Sequence, residues 1–193
     1  MPCHGSTPRR PGRSLTVATR CALRIILLTG QRRVEVSGIR KSEVDLLAVE
    51  PVWTIPSHRT KNRLLHRIPI CAMARKEFET ALEASRRNSE YLFPSPLLDG
   101  RDVPIIPDAI SRAMNRLNVE LNISGAGPHD LRRTVGTELA RLGLPTHVRA
   151  LVLNHSPERR GVTDVVYNRY AYDKEKREAL TKWEEQLGAI LSR

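Results

Sequence analysis

The chain has 193 residues, with 32 Lys plus Arg against 21 Asp plus Glu and a formal net charge of +11. This excess favours a polyanionic partner, and its spread from Arg9 to Arg193 indicates a basic face on a folded body, which fits nucleic acid better than a membrane. With 40% hydrophobic residues the chain can bury one substantial core, so we expect one folded domain.

The cysteines and the apolar runs exclude further classes of protein. Cys3, Cys21 and Cys71 are odd in number and match no metal-ligand spacing. The sequence does not begin with the charged and apolar leader of a secreted protein, and the longest aliphatic run of the first helix, Ile25 to Leu28, is far shorter than a membrane span. We therefore expect a cytosolic protein with reduced thiols and no transmembrane segment.

The chain opens with a segment that is not expected to fold. Residues 1–14, "MPCHGSTPRRPGRS", are basic and proline-rich without apolar periodicity, which predicts an arm or linker stump. Folding is expected to start near Leu15, where apolar residues at helical spacing predict a helix that Gly30 ends. A shorter helix is predicted over roughly Val34 to Gly38.

After these helices, the spacing of the apolar residues changes from the period of a helix to the two-residue alternation of a strand. "VDLLAVEPVWTIP" and "HRIPI" predict strands of a small antiparallel sheet, joined by a hairpin whose tip, "SHRTKNRLL", is basic. Helical spacing returns in the segments "CAMARKEFETALEASRRN", "PDAISRAMNRL", "HDLRRTVGTELARLGL", "PTHVRALVLNH" and "KEKREALTKWEEQLGAILSR". The predicted fold is α+β and mainly helical, with one small antiparallel sheet.

The last of these helices carries an apolar stripe of Leu180, Trp183, Leu187 and Leu191. The stripe either packs on its own domain, which is the usual role of such a face, or docks on a neighbouring copy of the chain.

Three segments carry the residue types of phosphate chemistry. In "GPHDLRRT", His129 and Arg132 lie three residues apart and share one face near a helix N-terminus, which suits phosphate binding and proton transfer. A capping histidine and a solvated arginine would give the same pattern. "LVLNHS" adds His155 and "GVTDVVYNRY" adds Tyr167, although each alone would be read as structural.

Taken in order, these motifs resemble the catalytic domain of the tyrosine recombinases, the phage integrase family, from about Leu15 to Trp183. The family pattern is an arginine in a Thr-Gly-x-Arg-x-x-Glu turn, a lysine on a β-hairpin, a His-x-x-Arg pair, a Leu-Gly-His-like turn and then a tyrosine. Here these are "TGQRRVE", "RTKNRLLHRIPI", "HDLR", "LNH" and "VTDVVY". "WTIP" and "YLFPS" also resemble the integrase branch.

The resemblance implies a catalytic set with Tyr167 as nucleophile. The residues implied to activate the phosphate and move protons are Arg32, Lys61, His129, Arg132 and His155. Glu35 is implied to orient Arg32, and the neighbouring Arg33 to contact the DNA backbone or solvent.

The implied reaction breaks and rejoins DNA strands through a 3′-phosphotyrosine, with no metal ion or other cofactor. The sequence offers no Gly-rich nucleotide loop and no carboxylate cluster for Mg²⁺. The implied partners are double-stranded DNA attachment sites, further copies of the chain in a tetramer on DNA, and accessory DNA-bending proteins. The implied location is the cytoplasm, in association with the nucleoid, for a protein that a bacterium or a phage encodes.

Several positions depart from the family pattern. "LNH" stands for the commoner Leu-Gly-His, and Tyr170 and Tyr172 lie close enough to Tyr167 to leave the register of the nucleophile open. His66 and His147 are expected at the surface.

The N-terminal core-binding domain that integrases of this kind usually carry is expected to be absent, with residues 15–193 forming the catalytic domain. The chain would then be a truncated gene product, a remnant or an isolated catalytic fragment. The alternatives to a recombinase are a DNA-binding remnant without recombinase activity, a nicking and closing enzyme of the type IB topoisomerase kind, and a metal-dependent nuclease with His129 and His155 as ligands.

Overall fold

The computed structural model describes residues 15–96, 101–155 and 172–193. The predicted arm, residues 1–14, and the two candidate nucleophiles Tyr167 and Tyr170 lie outside these ranges.

The described elements confirm a mainly helical fold with one small antiparallel sheet. The helices are α1 (Val17–Thr29), α2 (Arg33–Ser37), α3 (Ala72–Ala84), α4 (Pro107–Glu120), α5 (Pro128–Arg141), α6 (Thr146–Val152) and α7 (Asp173–Leu191). The strands are β1 (Val44–Asp45), β2 (Val52–Ile55) and β3 (His66–Pro69), in the order β1-β2-β3 with both pairs antiparallel. Among the helices of the described ranges, none combines the length and apolar character needed to cross a membrane.

Helix α1 forms the centre of the fold. Its side chains are buried on most of its faces, including Cys21, Ile25 and Ile26, which are fully inaccessible to solvent. Helices α3, α4, α5 and α7 all pack against it. This explains why the predicted first helix is so apolar, since most of its circumference lies in the core.

Gly30 ends α1 as predicted, and the structure gives two reasons for a glycine there. Its φ of 69° is left-handed, and its N–H donates to the Ile26 carbonyl at 2.8 Å. A Cβ at this position would lie 2.8 Å from Leu153 Cδ2 and 3.1 Å from Val135 Cγ1. Gly30 therefore lets α5 and the turn after α6 approach the end of α1.

The sheet carries the predicted basic hairpin. In the β2–β3 pair, Trp53 lies opposite Ile68 and Ile55 opposite His66, and the connection between the strands includes Lys61. Strand β1 is much shorter than the "VDLLAVE" run suggests. The Asp45 carboxylate accepts the backbone N–H groups of the next turn, those of residues 47 and 48, at 3.1 and 2.9 Å, which ends the strand.

The C-terminal helix α7 packs on its own domain. Leu180, Trp183 and Leu187 are buried in the common core, while Leu191, the last residue of the stripe, is 70% exposed. The indole N–H of Trp183 donates to the Leu27 carbonyl at 2.8 Å. The Glu184 carboxylate also caps the N-terminus of α3, accepting the backbone N–H groups of residues 73 and 74 at 2.8 and 2.9 Å.

Candidate active site

Arg32 stands at the start of α2 and is oriented by Glu35, as expected. The Glu35 side chain is 3% exposed. Its Oε2 accepts the Arg32 backbone N–H at 2.9 Å, and its Oε1 accepts the Arg32 Nη1 at 3.0 Å. The other terminal nitrogen of Arg32 donates to the Asn154 carbonyl at 3.3 Å. One buried carboxylate therefore caps the helix and holds the guanidinium.

Arg132 lies in the second turn of α5 and is held by backbone carbonyls. Its Nη1 donates to the Gly30 carbonyl at 2.6 Å and its Nη2 donates to the Leu153 carbonyl. Burial, and then the nearby Arg32 cation, lower the pKa of Arg132 to about 10, which leaves the guanidinium charged at neutral pH. Arg132 is 3% exposed, and these two carbonyls accept two of its five N–H donors.

His129 and His155 lie on the same concave surface as these arginines. One part of this surface is lined by Arg32, His129 and Arg132, and the adjoining part by His129, Arg132 and His155. Both histidines are exposed. Partial burial, followed by the charges of Arg132 and Arg32, lowers the pKa of His155, so this ring is neutral at neutral pH and offers one N–H donor.

Lys61 is exposed on the connection between β2 and β3. Its neighbour Asn62 reaches the site, because Asn62 Nδ2 donates to Asn154 Oδ1 at 2.7 Å. Asn154 directly precedes His155. The backbone at Lys61 therefore lies one residue from a contact with the turn that carries His155.

The expectation that His66 lies at the surface is wrong, whereas His147 is exposed as expected. His66 begins β3 and faces inward on the same side of the strand as Ile68, which leaves it 5% exposed. Its Nε2 lies 3.2 Å from Gln31 Oε1. Burial, and then the cations of Lys176, Arg132 and Arg32, lower the pKa of His66 to about 3.

The buried amide of Gln31 connects His66 to the site. Gln31 Nε2 donates to the carbonyls of Thr29 at 2.7 Å and Val152 at 2.9 Å, so its Oε1 is the acceptor that faces His66. The neutral His66 ring must therefore carry its proton on Nε2. These hydrogen bonds, which we call the Gln31 bridge, link the end of α1, the end of α6 and strand β3 close to Arg32 and Arg132.

Sequence reasoning missed Gln31 and Asn154. Gln31 occupies the position between glycine and arginine in "TGQR", which has no local pattern of its own. In the sequence, Asn154 stands out only as a departure from Leu-Gly-His. The available signal was that asparagine, one of the few side chains that tolerate a left-handed backbone, stands at the glycine position, and the structure gives it a φ of 47°.

The remaining candidates are Arg33 and the three neighbouring tyrosines. The Arg33 guanidinium is 42% exposed and pairs with Asp108 at 3.0 Å. Tyr172 precedes α7 with a φ of 53°, while Tyr167 and Tyr170 lie outside the described residues. Within the described part of the chain, His, Cys, Asp and Glu side chains form no group of three or more arranged to hold a metal ion.

The arrangement suits the binding of a phosphodiester. Two guanidinium groups held by buried partners present positive charge to one concave surface, and planar N–H donors match phosphate oxygens. Two histidines on the same surface add groups that transfer protons or donate hydrogen bonds.

Comparison with solved structures shows that the fold is that of integrases and recombinases. The integrase from mycobacterium phage Brujita matches with a TM-score of 0.64 and 17% identity, over 93% of this chain and 59% of that one. XerA recombinase matches with a TM-score of 0.56 and 21% identity, over 91% and 66%. The XerH site-specific recombinase bound to its difH substrate matches with a TM-score of 0.58 and 15% identity, over 77% and 45%.

The chain covers less than two thirds of each of these three structures. No curated protein matches it by sequence. The sequence profile of the phage integrase family, in contrast, matches residues 7–173, which is most of the chain. The chain belongs to the phage integrase family.

Proposed function

We propose that this chain is a site-specific DNA recombinase that breaks and rejoins DNA strands through a 3′-phosphotyrosine formed by Tyr167. The observation that carries the proposal is the convergence of Arg32, His129, Arg132 and His155 on one concave surface, with both guanidinium groups held in place. The family membership supports the same reaction class.

The two arginines supply the electrostatic part of the mechanism. Arg32 and Arg132 bind the nonbridging oxygens of the scissile phosphate and stabilise the charge that develops in the pentacoordinate transition state. Because both are fixed before the DNA arrives, little reorganisation accompanies the reaction. The scheme uses no metal ion.

The remaining groups move protons. A phenol with a pKa of about 10 is less than about one part in a thousand ionised at neutral pH, so Tyr167 needs a base, and His129 accepts its proton. As the bond from Tyr167 to phosphorus forms, the bond to the 5′-oxygen breaks and Lys61 protonates that oxygen. His155, neutral because its pKa is lowered, donates a hydrogen bond to the phosphate.

The intermediate conserves the energy of the phosphodiester. The 5′-hydroxyl of a second strand attacks the 3′-phosphotyrosine, restores the phosphodiester and releases Tyr167. We propose double-stranded attachment sites, a homotetramer on DNA and accessory DNA-bending proteins as its partners. The XerH structure with difH substrate and the Tn1549 transposon integrase structure with circular intermediate DNA support DNA as the partner class.

The test is covalent capture of DNA. The protein is incubated with a pool of nicked duplexes of random core sequence, and covalent adducts are resolved on a denaturing gel. We expect an adduct that Tyr167→Phe abolishes and the matched control Tyr170→Phe retains, with DNA binding unchanged in both because only a hydroxyl is lost.

Other outcomes would contradict parts of the proposal. An adduct that persists in Tyr167→Phe and disappears in Tyr170→Phe would move the nucleophile. DNA binding without any adduct would indicate a binding protein without recombinase activity, and plasmid relaxation without recombinant products would indicate topoisomerase-like nicking and closing. Cleavage that a chelator abolishes would indicate a metal-dependent nuclease.

A further inference from the structure

Asn154 adopts a backbone conformation that glycine would satisfy at least as well. Its φ is 47°, in the left-handed region, within the turn that joins α6 to His155. Glycine has no Cβ and meets no steric penalty there, whereas an asparagine is tolerated at some cost. The backbone alone therefore does not explain the side chain at this position.

The side chain of Asn154 is buried and bonded across the site. The residue is 8% exposed, and its Oδ1 accepts the Asn62 amide at 2.7 Å. Its backbone carbonyl accepts the Arg32 guanidinium at 3.3 Å. One residue thus contacts the hairpin through its side chain and Arg32 through its backbone, and the next residue is His155.

The hairpin tip is otherwise held mainly by contacts within itself. Lys61, Arg63 and the leucines at 64 and 65 are exposed. Thr60 Oγ1 bonds the carbonyls of residues 57 and 64 at 3.0 and 2.7 Å, and the Leu64 N–H donates to Asn62 Oδ1 at 3.3 Å. The start of the connection is anchored separately, by Arg59 to the Glu43 carboxylate and, at 2.8 Å, to the carbonyl of residue 35.

We propose that Asn154 is a positioning residue, which through Asn62 holds the backbone at Lys61 beside His155 and Arg32. The inference rests on the proposed function, in which Lys61 protonates the leaving 5′-oxygen. A hydrogen bond from the residue next to Lys61 limits the positions that the ammonium group reaches. Its loss leaves the arginines in place and reduces the delivery of the proton.

Asn154→Gly removes the side chain and keeps a residue that accepts the left-handed backbone. Asn62→Ala breaks the same hydrogen bond from the other side. Asn122→Gly is the matched control, because Asn122 also has a left-handed backbone, with a φ of 52°, and is exposed at the end of α4. The double variant Asn154→Gly with Asn62→Ala is expected to be no slower than Asn62→Ala alone, which also loses the hydrogen bond from the Leu64 N–H.

The first measurement is the rate of adduct formation on two substrates, ordinary DNA and DNA with a bridging 5′-phosphorothiolate. Sulfur leaves as a thiolate because a thiol has a pKa of about 8.5, so that substrate needs no proton donor. We expect Asn154→Gly to slow cleavage of ordinary DNA by about tenfold or more and the sulfur substrate to restore the rate. Equal losses on both substrates would overturn the proposal, because they would indicate general damage to the site.

The second measurement uses the protein without DNA. Amide hydrogen exchange over residues 60–65 should be faster in Asn154→Gly than in the parent and unchanged in Asn122→Gly. Unchanged exchange in Asn154→Gly would overturn the proposal. If the parent forms no adduct with any substrate, the proposed function fails, while the exchange measurement still decides whether Asn154 holds the hairpin.

Discussion

The two arginines and the hairpin lysine lie in contrasting surroundings. Arg32 and Arg132 are held by a buried carboxylate and by three backbone carbonyls from two separate segments of the chain, and we call this pair with its acceptors the arginine platform. Lys61 is exposed on a connection whose tip reaches the site through the hydrogen bond from Asn62 to Asn154. In the platform, Arg132 is buried and Arg32 half-buried, whereas Lys61 on the hairpin is exposed.

The difference corresponds to the two kinds of work in the proposed reaction. Stabilising charge requires donors that are already in place, because reorganising them during the reaction would cost free energy. Delivering a proton requires a group that approaches the leaving oxygen when the DNA is bound. Substitutions in the platform should therefore affect stability and rate together, whereas substitutions in the hairpin should affect rate alone.

The largest combined effect on rate and stability is expected from Arg132→Lys. Lysine keeps the charge but loses the planar fork that bonds the carbonyls of Gly30 and Leu153. We expect covalent cleavage to slow by roughly 10²–10³-fold. Stability should fall by about 1–3 kcal/mol, because buried carbonyls lose their donors. Single-turnover adduct formation and urea unfolding measure the two effects.

Two further variants complete this test. Arg133→Lys, at the neighbouring side chain that is 71% exposed, is the control and should leave both quantities nearly unchanged. Lys61→Ala should slow cleavage by roughly 10²–10⁴-fold with stability within about 0.5 kcal/mol of the parent. A stable Arg132→Lys protein that cleaves normally would remove Arg132 from the platform.

The next effect, measured as a loss of unfolding free energy, is expected from Gly30→Ala, which tests how tightly the platform is packed. A left-handed alanine costs about 1–2 kcal/mol, and its Cβ would meet Leu153 at 2.8 Å, which adds about 1–3 kcal/mol. Gly143→Ala is the matched control, since Gly143 has a φ of 76° and open space around a Cβ, so only the backbone cost applies. Equal losses of unfolding free energy in the two variants would show that Leu153 moves aside without cost.

The smallest effect is a pH dependence that arises from His66 beneath the platform. Its pKa is about 3 in the folded protein and about 6.5 when unfolded, so as the pH falls below about 6.5 the unfolded chain takes up a proton that the folded chain does not. Because of His66, the free energy of unfolding should fall by up to about 1.4 kcal/mol for each unit by which the pH is lowered.

His66→Gln keeps an N–H donor towards Gln31 without a titrating ring. Urea unfolding between pH 7 and pH 5 should therefore show a shallower slope for His66→Gln than for the parent. The control His147→Gln, at an exposed position, should keep the parent slope. An unchanged slope in His66→Gln would contradict the burial of a neutral histidine.

The parts of the molecule that were predictable from sequence are those with a local pattern. Helix α1 and its end at Gly30 follow from apolar spacing and one glycine, and the Arg32–Glu35 contact lies within one helical turn. The burial of His66 follows from the face that it shares with Ile68 and Ile70, whereas a histidine by itself gives no indication of burial. The contact of Asn62 with Asn154 joins positions 92 residues apart, so no short pattern contains it.

The Gln31 bridge has a consequence for how the protein folds. Gln31 bonds the Val152 carbonyl across 121 residues, and Arg132 bonds the Gly30 carbonyl across 102. Contacts so distant in sequence form slowly, because most of the chain must be ordered before they close. The surface that carries Arg32 and Arg132 is therefore expected to assemble late, in the completed domain. During synthesis, these contacts cannot form until the turn after α6 has left the ribosome. Until then, the nascent chain cannot bind a phosphodiester through Arg32 and Arg132 together.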